Sequence, residues 1–291
     1  MHPVRIHLNG RLVDERDAVV SVFDRGFLFG DGVFESMRAY GGRVFRLSRH
    51  LDRLAHSADL VGLRERPTAR DLSRAVAEVL DANGLRDARI RLTLTRGRGR
   101  PGDYVGVDGP PTVVLSAAPF AGIEARLFEE GVSIILSSRP AIPAGALDPA
   151  IKSISRIASV LARREAHDAA AFESVLLDAG GCLTEGTASN LFLVRGGRLL
   201  TPASEGGALP GVTRGAVLQV ANEATLEILE QDLPAALLRD VDEVFLTNTS
   251  WEVLPVVRID GNPVGDGRPG PVTRELLARY RELVRLECGH A

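Results

Sequence analysis

The sequence predicts a mixed α/β fold in two domains, and three features of the chain support this prediction. The first part of the chain mixes strand hairpins with amphipathic helices, a pattern typical of an α+β domain. The strand pattern then stops at Pro119, and such a break indicates a domain boundary. Strand and helix patterns alternate again further along the chain. We therefore predict a small N-terminal domain at 1–118, a linker at 119–125 and a larger C-terminal domain at 126–291.

The composition is that of a globular protein with a sizeable core. The chain has 291 residues, of which 45% are hydrophobic and 25% charged, and its net charge is −3. This balance gives no indication of nucleic-acid or membrane binding. The first 17 residues lack the apolar stretch of a secretion signal, so we expect a cytoplasmic protein. Two cysteines and six scattered histidines indicate neither a disulfide framework nor a metal site.

The elements of the N-terminal domain follow from alternation, turns and caps. Asn9-Gly10 joins two strand-like segments and predicts a hairpin. The stretch from Phe23 to Gly32 is rich in glycine and aromatic residues, and we predict a loop there. Ser48 and Thr68 can cap two helices, because their hydroxyls can accept from backbone amides. The predicted strands are 4–8, 11–13, 33–40, 44–47, 88–95 and 112–117.

The C-terminal domain is predicted in the same way. A loop rich in proline and alanine leads to Lys152 at the start of a helix that includes Ile157 and Glu165. A second helix starts after Pro210-Gly211, since proline and glycine favour a turn before a helix. A third is predicted from Pro271 to about Leu286. The predicted strands are 131–136, 174–177, 191–194, 243–247 and 252–258.

Lys152 is the only lysine in a chain that holds 35 lysine and arginine residues. On an exposed surface a lysine and an arginine side chain are interchangeable, so a coding preference for arginine explains most of this imbalance. A lysine amine, unlike a guanidinium, can lose its proton and attack a carbonyl carbon. The surviving lysine is therefore a candidate for covalent catalysis.

A lysine that forms a Schiff base most often holds pyridoxal 5'-phosphate, which also needs a phosphate cradle and a partner for its ring nitrogen. The turn at Leu209–Arg214 opens a helix whose first amides, at Val212 and Thr213, can bind phosphate. The segment Thr247–Ser250 follows a strand and can add hydroxyls and amides, and Arg53 can add a forked cation. Glu185 lies in a loop of small residues and can pair with the ring nitrogen.

Six stretches of the chain resemble the motifs of one family, in that family's order and over nearly its whole length. They are Phe29–Arg38, His50–Leu54, Ile151–Ser153, Leu183–Phe192, Leu209–Arg214 and Gly265–Thr273. On these stretches the chain resembles the fold-type IV pyridoxal-phosphate enzymes, the class IV aminotransferases. The family includes branched-chain aminotransferases, D-amino-acid aminotransferases and aminodeoxychorismate lyases.

The resemblance assigns roles to the matching residues. It implies that Lys152 forms the Schiff base, that Glu185 partners the pyridine nitrogen, and that the phosphate is held by a further set of residues. That set is Arg53, Val212, Thr213, Thr249 and Ser250. It also implies a homodimer, with a small N-terminal and a larger C-terminal domain and the site between them.

The specificity within the family is less evident. Phe34, Glu35 and Arg38 resemble the branched-chain enzymes, but Ser36 and Arg89 stand where those usually have glycine and tyrosine. The segments 151–153 and 162–167 are similar to D-amino-acid aminotransferases, whereas Arg156 and Asn248 are similar to the lyases. The first hypothesis is a branched-chain type transaminase that uses a 2-oxo acid such as 2-oxoglutarate. A D-amino-acid or (R)-amine transaminase and an aminodeoxychorismate lyase stay as alternatives.

The remaining candidates concern the substrate. Cations can bind a substrate carboxylate, and aromatic or arginine side chains next to the motifs can shape the pocket. The predicted substrate-binding residues are Phe34, Arg38, Arg89, Arg91, Arg96 and Trp251. Arg98 and Arg100 either join them or lie on an exposed basic loop. A protein that only binds phosphate or nucleic acid through this loop is a remote alternative, because the net charge is negative.

Overall fold

A computed structural model describes residues 4–204 and 207–289. The chain forms two compact units. The first contains Met1–Ala121, Ile151–Ser155 and Leu286–Ala291, and the second contains Gly122–Ala150 and Arg156–Arg285. The segment that carries Lys152 thus belongs to the first unit, although the chain before and after it belongs to the second.

The helices and strands have the following bounds. The helices are α1 (Arg25–Phe29), α2 (Leu47–Leu60), α3 (Ala69–Ala82), α4 (Arg126–Glu130), α5 (Ile157–Asp168), α6 (Val212–Glu223) and α7 (Pro271–Cys288). The strands are β1 (Arg5–Leu8), β2 (Arg11–Asp14), β3 (Gly32–Tyr40), β4 (Arg43–Val44), β5 (Ala88–Thr95), β6 (Thr112–Pro119), β7 (Val132–Leu136), β8 (Glu173–Leu177), β9 (Leu183–Gly186), β10 (Asn190–Arg195), β11 (Arg198–Thr201), β12 (Ile228–Glu230), β13 (Glu243–Asn248), β14 (Glu252–Ile259) and β15 (Asn262–Pro263).

The first unit is built on an antiparallel six-stranded sheet in the order β2-β1-β6-β5-β3-β4. Alternate residues of its central strands, such as Met37, Ile90 and Leu115, are buried in one core. Helices α2 and α3 cover that face and contribute Leu54 and Val79 to the core. Because side chains alternate along a strand, Phe34, Arg38, Arg89 and Arg91 lie on the opposite face.

The second unit is built on a sheet that closes into a barrel. The strand order is β12-β11-β10-β13-β14-β7-β8-β9, and β9 also pairs with β10. Six strands therefore form a closed ring, which leaves no free edges among them. The Phe192 and Phe245 rings are fully buried and stack with their centres 4.9 Å apart. Helix α5 packs against β8, and α6 packs against β13.

Most predicted elements are present, with differences in four places. The strand predicted at 44–47 is only Arg43–Val44, because α2 already begins at Leu47, and Lys152 lies five residues before α5 rather than at its start. Helix α3 begins after Thr68, whose hydroxyl accepts from the Asp71 amide as expected of an N-cap. Ser48 does not cap α2, which begins one residue earlier, after Arg46 in the left-handed conformation. The predicted loop at 23–32 contains the short helix α1, because the Asp24 carboxylate accepts from the Gly26 amide.

The helix-covered face of the first sheet contains a fully buried carboxylate. Glu35 is 0% exposed and accepts two hydrogen bonds of 2.7 Å from Arg53 Nε and Nη2. His50 Nδ1 donates a third, also 2.7 Å long, to Glu35 Oε2. Burial alone would raise the pKa of Glu35, but the charges of Arg53 and His50 outweigh burial and lower that pKa to about 2. The carboxylate thus joins β3 to α2 by a charge that must stay paired.

We expect acid to weaken this unit through Glu35. Because the pKa of Glu35 is lower in the folded than in the unfolded chain, its contribution is full above the ordinary pKa of 4.5 and is lost as the pH falls toward 2. A shift of this size is worth about 3 kcal/mol. Glu35→Gln should lower the urea midpoint at pH 7 and flatten its decline between pH 5 and pH 3.

The control for this experiment is Glu275→Gln, which removes a carboxylate whose ion pair with Arg279 is about half exposed. This variant should keep the wild-type urea midpoints throughout the pH range, since exposed ion pairs contribute little. An equally steep decline in Glu35→Gln and in the wild type would show that Glu35 does not control the acid response.

Candidate active site

Lys152 is held against the first sheet by its backbone. Phe34 N–H donates to the Lys152 carbonyl and Ile154 N–H donates to the Gly32 carbonyl, each at 3.0 Å. Lys152 N–H in turn donates to the Ser57 hydroxyl on α2 at 3.1 Å. These bonds fix the lysine Cα without using its side chain.

Gly32 permits this close approach of two backbone segments. A Cβ atom at residue 32 would lie 2.6 Å from the Leu94 carbonyl oxygen and 3.0 Å from the Ile154 side chain. No side chain larger than hydrogen fits there without movement of the backbone. The motif Phe29-Gly-Asp-Gly32 therefore includes a residue needed to seat the lysine segment.

The Lys152 amine lies next to an aromatic and cationic surface. Its Nζ is 4.8 Å from the centre of the Phe34 ring, and Arg91 Cζ is 4.0 Å from the same centre. Phe34 is thus in contact range of two cations, an arrangement that an electron-rich ring face favours. The sequence predicted Phe34 and Arg91 as substrate residues, and both lie beside the lysine.

The same face of the sheet continues with more arginine and aromatic side chains. Arg38 Cζ lies 4.3 Å from the Tyr40 ring centre and 5.1 Å from that of Phe120, and Arg89 Cζ lies 5.5 Å from that of Phe120. Arg38 and Arg89 are direct partners in the register of β3 and β5. Like charges in such a pair are unfavourable, so this placement points to a role in anion binding. Phe120 was not predicted from the sequence, because its place beside these arginines depends on β6 ending at Pro119, directly before it.

The other predicted cations have different positions. Arg53 is part of the buried pair with Glu35, which fixes the orientation of its guanidinium. Arg96 donates to both carboxylate oxygens of Asp31, at 2.8 and 3.0 Å, and to the carbonyls of residues 61 and 62. Its donors therefore stabilise loops of the first unit. Arg98 and Arg100 are both exposed, and both lie beyond the end of β5.

In the second unit, Glu185 lies on β9 and is joined to the turn before α6. Its Oε2 accepts from the Leu209 amide at 2.9 Å, while the Leu209 carbonyl accepts from Asn190 Nδ2 at 2.7 Å. Residues 185 and 190 are themselves partners in the β9–β10 pairing. One turn and one hairpin thus hold a carboxylate and a helix N-terminus in a fixed arrangement.

That helix N-terminus belongs to α6, which begins with Val212 and Thr213. Its N-cap is Gly211, which has no side chain to cap the first amides, and a Cβ atom there would lie 2.0 Å from Asn190 Oδ1. Uncapped amides at the positive end of a helix dipole bind anions well. The two amides predicted to hold a phosphate are therefore suitably placed within this unit.

The loop after Glu185 is held by a second buried carboxylate, Glu173, which is 0% exposed. Glu173 accepts from the Thr187 hydroxyl at 2.7 Å and from the Ser189 hydroxyl at 3.3 Å, and Arg163 lies 2.7 Å away. Arg156 donates to the Thr187 carbonyl. Sequence reasoning missed Glu173, because nothing in its local pattern distinguishes it from a surface glutamate.

The turn after β13 contains the last predicted residues. Asn248 Oδ1 accepts from the amides of Ser250 and Trp251 at 2.9 and 2.7 Å, so the side chain fixes the turn. Thr247 is 0% exposed, and its hydroxyl has no partner within the described ranges. Trp251 packs against Phe172, with ring centres 4.9 Å apart, and next to Arg163.

Within residues 4–204 and 207–289, no group of three or more histidine, cysteine, aspartate or glutamate side chains is placed to hold a metal ion. No helix of these described ranges combines the length and the hydropathy needed to cross a membrane.

The family model described as "Amino-transferase class IV" matches residues 32–259. A protein from Methanocaldococcus jannaschii that is provisionally named a branched-chain-amino-acid aminotransferase is 41% identical over 280 residues, or 96% of each chain. A D-alanine aminotransferase from Listeria innocua is 35% identical over 289 residues, or 98% of each chain.

Solved structures of branched-chain aminotransferases have the same fold. The Escherichia coli enzyme has a TM-score of 0.92 at 32% identity, with 97% of this chain and 94% of that one covered. The Thermoproteus uzoniensis enzyme with norvaline has a TM-score of 0.90 at 34% identity, with 99% and 96% covered. The Thermobaculum terrenum enzyme in its PLP form has a TM-score of 0.88 at 29% identity, with 97% and 94% covered.

The likeness thus extends over nearly the full length of the chain in both sequence and structure, and the matched family region includes Lys152, Glu185 and the start of α6. The chain belongs to the class IV aminotransferase family.

Proposed function

We propose that this pyridoxal-phosphate-dependent class IV aminotransferase moves an amino group between a branched-chain amino acid and a 2-oxo acid such as 2-oxoglutarate. The observation that carries the proposal is the placement of the only lysine, whose backbone is anchored to β3 and whose amine lies beside Phe34 and Arg91. The Thermobaculum terrenum relative was solved in its PLP form on the same fold, which supports the choice of cofactor.

Each unit by itself contains groups that suit a part of pyridoxal 5'-phosphate. The α6 amides of Val212 and Thr213 are uncapped by Gly211 and suit a phosphate. We assign Thr249, Ser250 and the oriented guanidinium of Arg53 to the same phosphate. Glu185 is the carboxylate assigned to the ring nitrogen, where a negative charge keeps the nitrogen protonated.

When bound, the cofactor supplies an aldehyde for imine exchange and a ring that withdraws electrons from the substrate α-carbon. Lys152 would hold the cofactor covalently. Once released, its amine would hold and move a proton at the substrate α-carbon. A Cα fixed by the backbone suits both roles, because the Lys152 amine must first release the cofactor and then carry a proton at the substrate.

The face shared by β3 and β5 suits both an apolar and an acidic substrate. Phe34, Tyr40 and Phe120 offer aromatic surfaces, whereas Arg38, Arg89 and Arg91 offer guanidinium groups for a carboxylate. We assign these arginines to the substrate. Arg96, whose donors are used by Asp31 and two carbonyls, is assigned to loop stability, and Trp251 to packing beside Phe172.

A D-amino-acid transaminase is the second candidate. The observation in its favour is the 35% identity to the Listeria innocua D-alanine aminotransferase over 98% of both chains. Both candidates use the same lysine and cofactor, and they differ in the hand and the side chain of the amino acid that is accepted.

The experiment that tests the proposal is a half-reaction without any oxo acid. Purified protein with its cofactor is mixed with L-leucine, L-glutamate, D-alanine or D-glutamate, and the visible absorption of the bound cofactor is followed. We expect L-leucine and L-glutamate to bleach it, because the proposed substrates donate their amino group. Lys152→Ala should lose both the bleaching and the turnover.

The outcomes of this experiment separate the candidates. Bleaching by the D-amino acids alone would replace the first candidate by the second. Full turnover by Lys152→Ala would overturn the assigned role of the lysine in either case. Lys152→Arg is the matched variant, since it keeps the charge but cannot form the imine.

Arg89 is expected to favour acidic substrates. Arg89→Tyr removes one guanidinium and adds an aromatic wall, so the ratio of kcat/KM for leucine to that for glutamate should rise about tenfold or more. Arg100→Tyr makes the same change at an exposed residue beyond β5 and should leave the ratio unchanged. Equal ratios in the two variants and the wild type would remove Arg89 from the substrate site.

We infer that the protein forms a homodimer through an exposed apolar surface of the first unit. This surface, the N-terminal patch, consists of Val19, Val20, Val22, Phe23, Phe27, Leu28, Tyr104 and Val105. Phe27 and Tyr104 are each 74% exposed and Val105 is 84% exposed. An apolar surface of this kind is typical of an interaction site, and its two segments are joined by Arg25, which donates to the carbonyls of Asp103 and Tyr104.

Phe27→Asp should break this dimer, because a charge at the centre of an apolar interface is strongly unfavourable. Light scattering should then give the mass of one chain rather than two. Leu286→Asp changes another exposed leucine, 68% exposed and outside the patch, and should leave the mass of the dimer. A dimeric Phe27→Asp, or a monomeric wild type, would contradict the inference.

A further inference from the structure

The first unit contains a cavity that the proposed reaction does not use. It has a volume of about 580 Å³ and is lined by residues of β1, β6 and α3 and of the loops next to them. Its lining contains neither Lys152 nor any residue assigned above to the cofactor or the substrate. A cavity of this size accommodates a small organic molecule.

The deep wall of the cavity is apolar except for one histidine. Leu72, Ala75 and Val113 are each at most 5% exposed and line it together with His7. His7 is 8% exposed, and its Nδ1 has no hydrogen-bond partner among residues 4–204 and 207–289. Buried polar groups without partners are uncommon and ask for an explanation, such as an absent ligand.

The pKa of the His7 ring lies below its ordinary value, which favours the neutral form at pH 7. Burial lowers the pKa of this imidazole, and Arg74 lowers it as well, whereas the charge of Glu78 and a backbone hydrogen bond act in the opposite direction. A neutral imidazole carries one N–H donor and one acceptor nitrogen. The His7 ring can therefore donate a hydrogen bond to a ligand or accept one from it. Because the neutral ring carries no charge, it does not repel a cationic group of the ligand.

The mouth of the cavity carries charges of both signs. The acids are Glu65, Asp71 and Glu78, and the bases are Arg66 and Arg74. Arg66 is fixed by two bonds to Asp59, at 2.7 and 3.0 Å. Arg74 lies 3.4 Å from Asp71 and 3.6 Å from Glu78, and its side chain is 71% exposed. Exposed pairs at these distances are weak, so a ligand can compete for these groups.

The charges and the apolar wall together define a class of ligand. A simple anion such as phosphate would meet three carboxylates, and a simple amine would meet two guanidinium groups. A zwitterion satisfies both, because its ammonium can lie at the acids while its carboxylate lies at Arg74. The wall of Leu72, Ala75 and Val113 would then receive an apolar side chain.

We propose that this cavity is a second binding site, which takes a free apolar amino acid as its zwitterion. This second site is independent of the proposed active site, because the two sites have no residue in common. It would let an aminotransferase sense an amino acid at a site separate from that of Lys152.

The test measures binding by equilibrium dialysis with three probes that share one isobutyl group. They are L-leucine, 3-methylbutylamine, which lacks the carboxylate, and 4-methylpentanoate, which lacks the ammonium. Excess pyridoxamine 5'-phosphate is present throughout, so that no aldehyde is offered to the amines. L-leucine should bind at least about tenfold more tightly than either half-ligand, because each charged hydrogen bond is worth about that factor.

Arg74→Glu locates the site. It should weaken L-leucine binding about tenfold or more, since the carboxylate of the ligand would meet a like charge. Arg70→Glu is the matched control, because it makes the same change one turn earlier on α3, at an exposed residue outside the cavity lining. His7→Phe should also weaken binding while raising the melting temperature, because it removes the unpartnered buried nitrogen.

Three results would overturn the proposal. They are the absence of L-leucine binding, equal binding of L-leucine and 3-methylbutylamine, and equal affinity of Arg74→Glu and Arg70→Glu for L-leucine. The last result would place the leucine at another site, such as that of Lys152. A failure of the proposed transaminase reaction would leave the comparison of Arg74→Glu with Arg70→Glu unaffected, because neither residue is assigned to the cofactor or to the substrate.

Discussion

The backbone anchoring of Lys152 is the constraint on which the proposed chemistry of this protein depends. The lysine segment lies far from β3 in sequence, yet its carbonyl and that of Gly32 accept hydrogen bonds from the amides of Phe34 and Ile154. Backbone hydrogen bonds do not depend on the side chain that they position. The amine can therefore exchange bonds during catalysis while its Cα stays in place. Gly32 is part of this arrangement, because a Cβ atom there would separate the two segments.

Buried carboxylates hold the segments around Arg53, the loop after Glu185 and the start of α7. Glu35 binds Arg53 and His50, Glu173 binds the hydroxyls of the loop after Glu185, and Glu243 accepts from the first amides of α7. Taking a carboxylate out of water is unfavourable unless donors surround it. Each of these glutamates therefore admits one arrangement of the segments around it. The rigidity of the loops thus comes from paired charges as well as from the hydrophobic cores.

The fold could be predicted largely from local pattern, and the errors in that prediction have local causes. Thr68 caps α3 because Asp71, three residues later, accepts from its hydroxyl and donates its own amide in return. Ser48 does not act in this way, and the left-handed Arg46 starts α2 one residue earlier. Similarly, the helix in the predicted loop at 23–32 depends on Asp24, whose carboxylate also accepts from Thr95 and Thr112. Those long-range bonds have no signature in the sequence.

The residues of the candidate site also fall into those that the sequence could predict and those that it could not. Lys152 and Glu185 could be proposed from residue type and motif, since few residue types can form a Schiff base or pair with a ring nitrogen. Glu173 could not, because its partners come from separate segments of the chain. Arg53 and Arg96 illustrate why residue type alone is insufficient: both are arginines beside motifs, and both are bound to carboxylates in the structure. Only the geometry distinguishes an oriented cation from one whose donors are used up.

The choice of arginine on the substrate face is consistent with a site that must accept two different side chains in turn. A transaminase of the proposed type binds an apolar amino acid and then an acidic oxo acid at one location. A lysine ammonium on this face would be a strongly hydrated charge that an apolar side chain could not cover. A guanidinium over the ring of Phe34 or Phe120, as those of Arg91 and Arg89 are, presents a planar and weakly hydrated surface. The same group can bind a carboxylate through its N–H edge. In the proposed reaction, the arginines on this face would serve both substrates and leave Lys152 as the only lysine amine that can react with the cofactor.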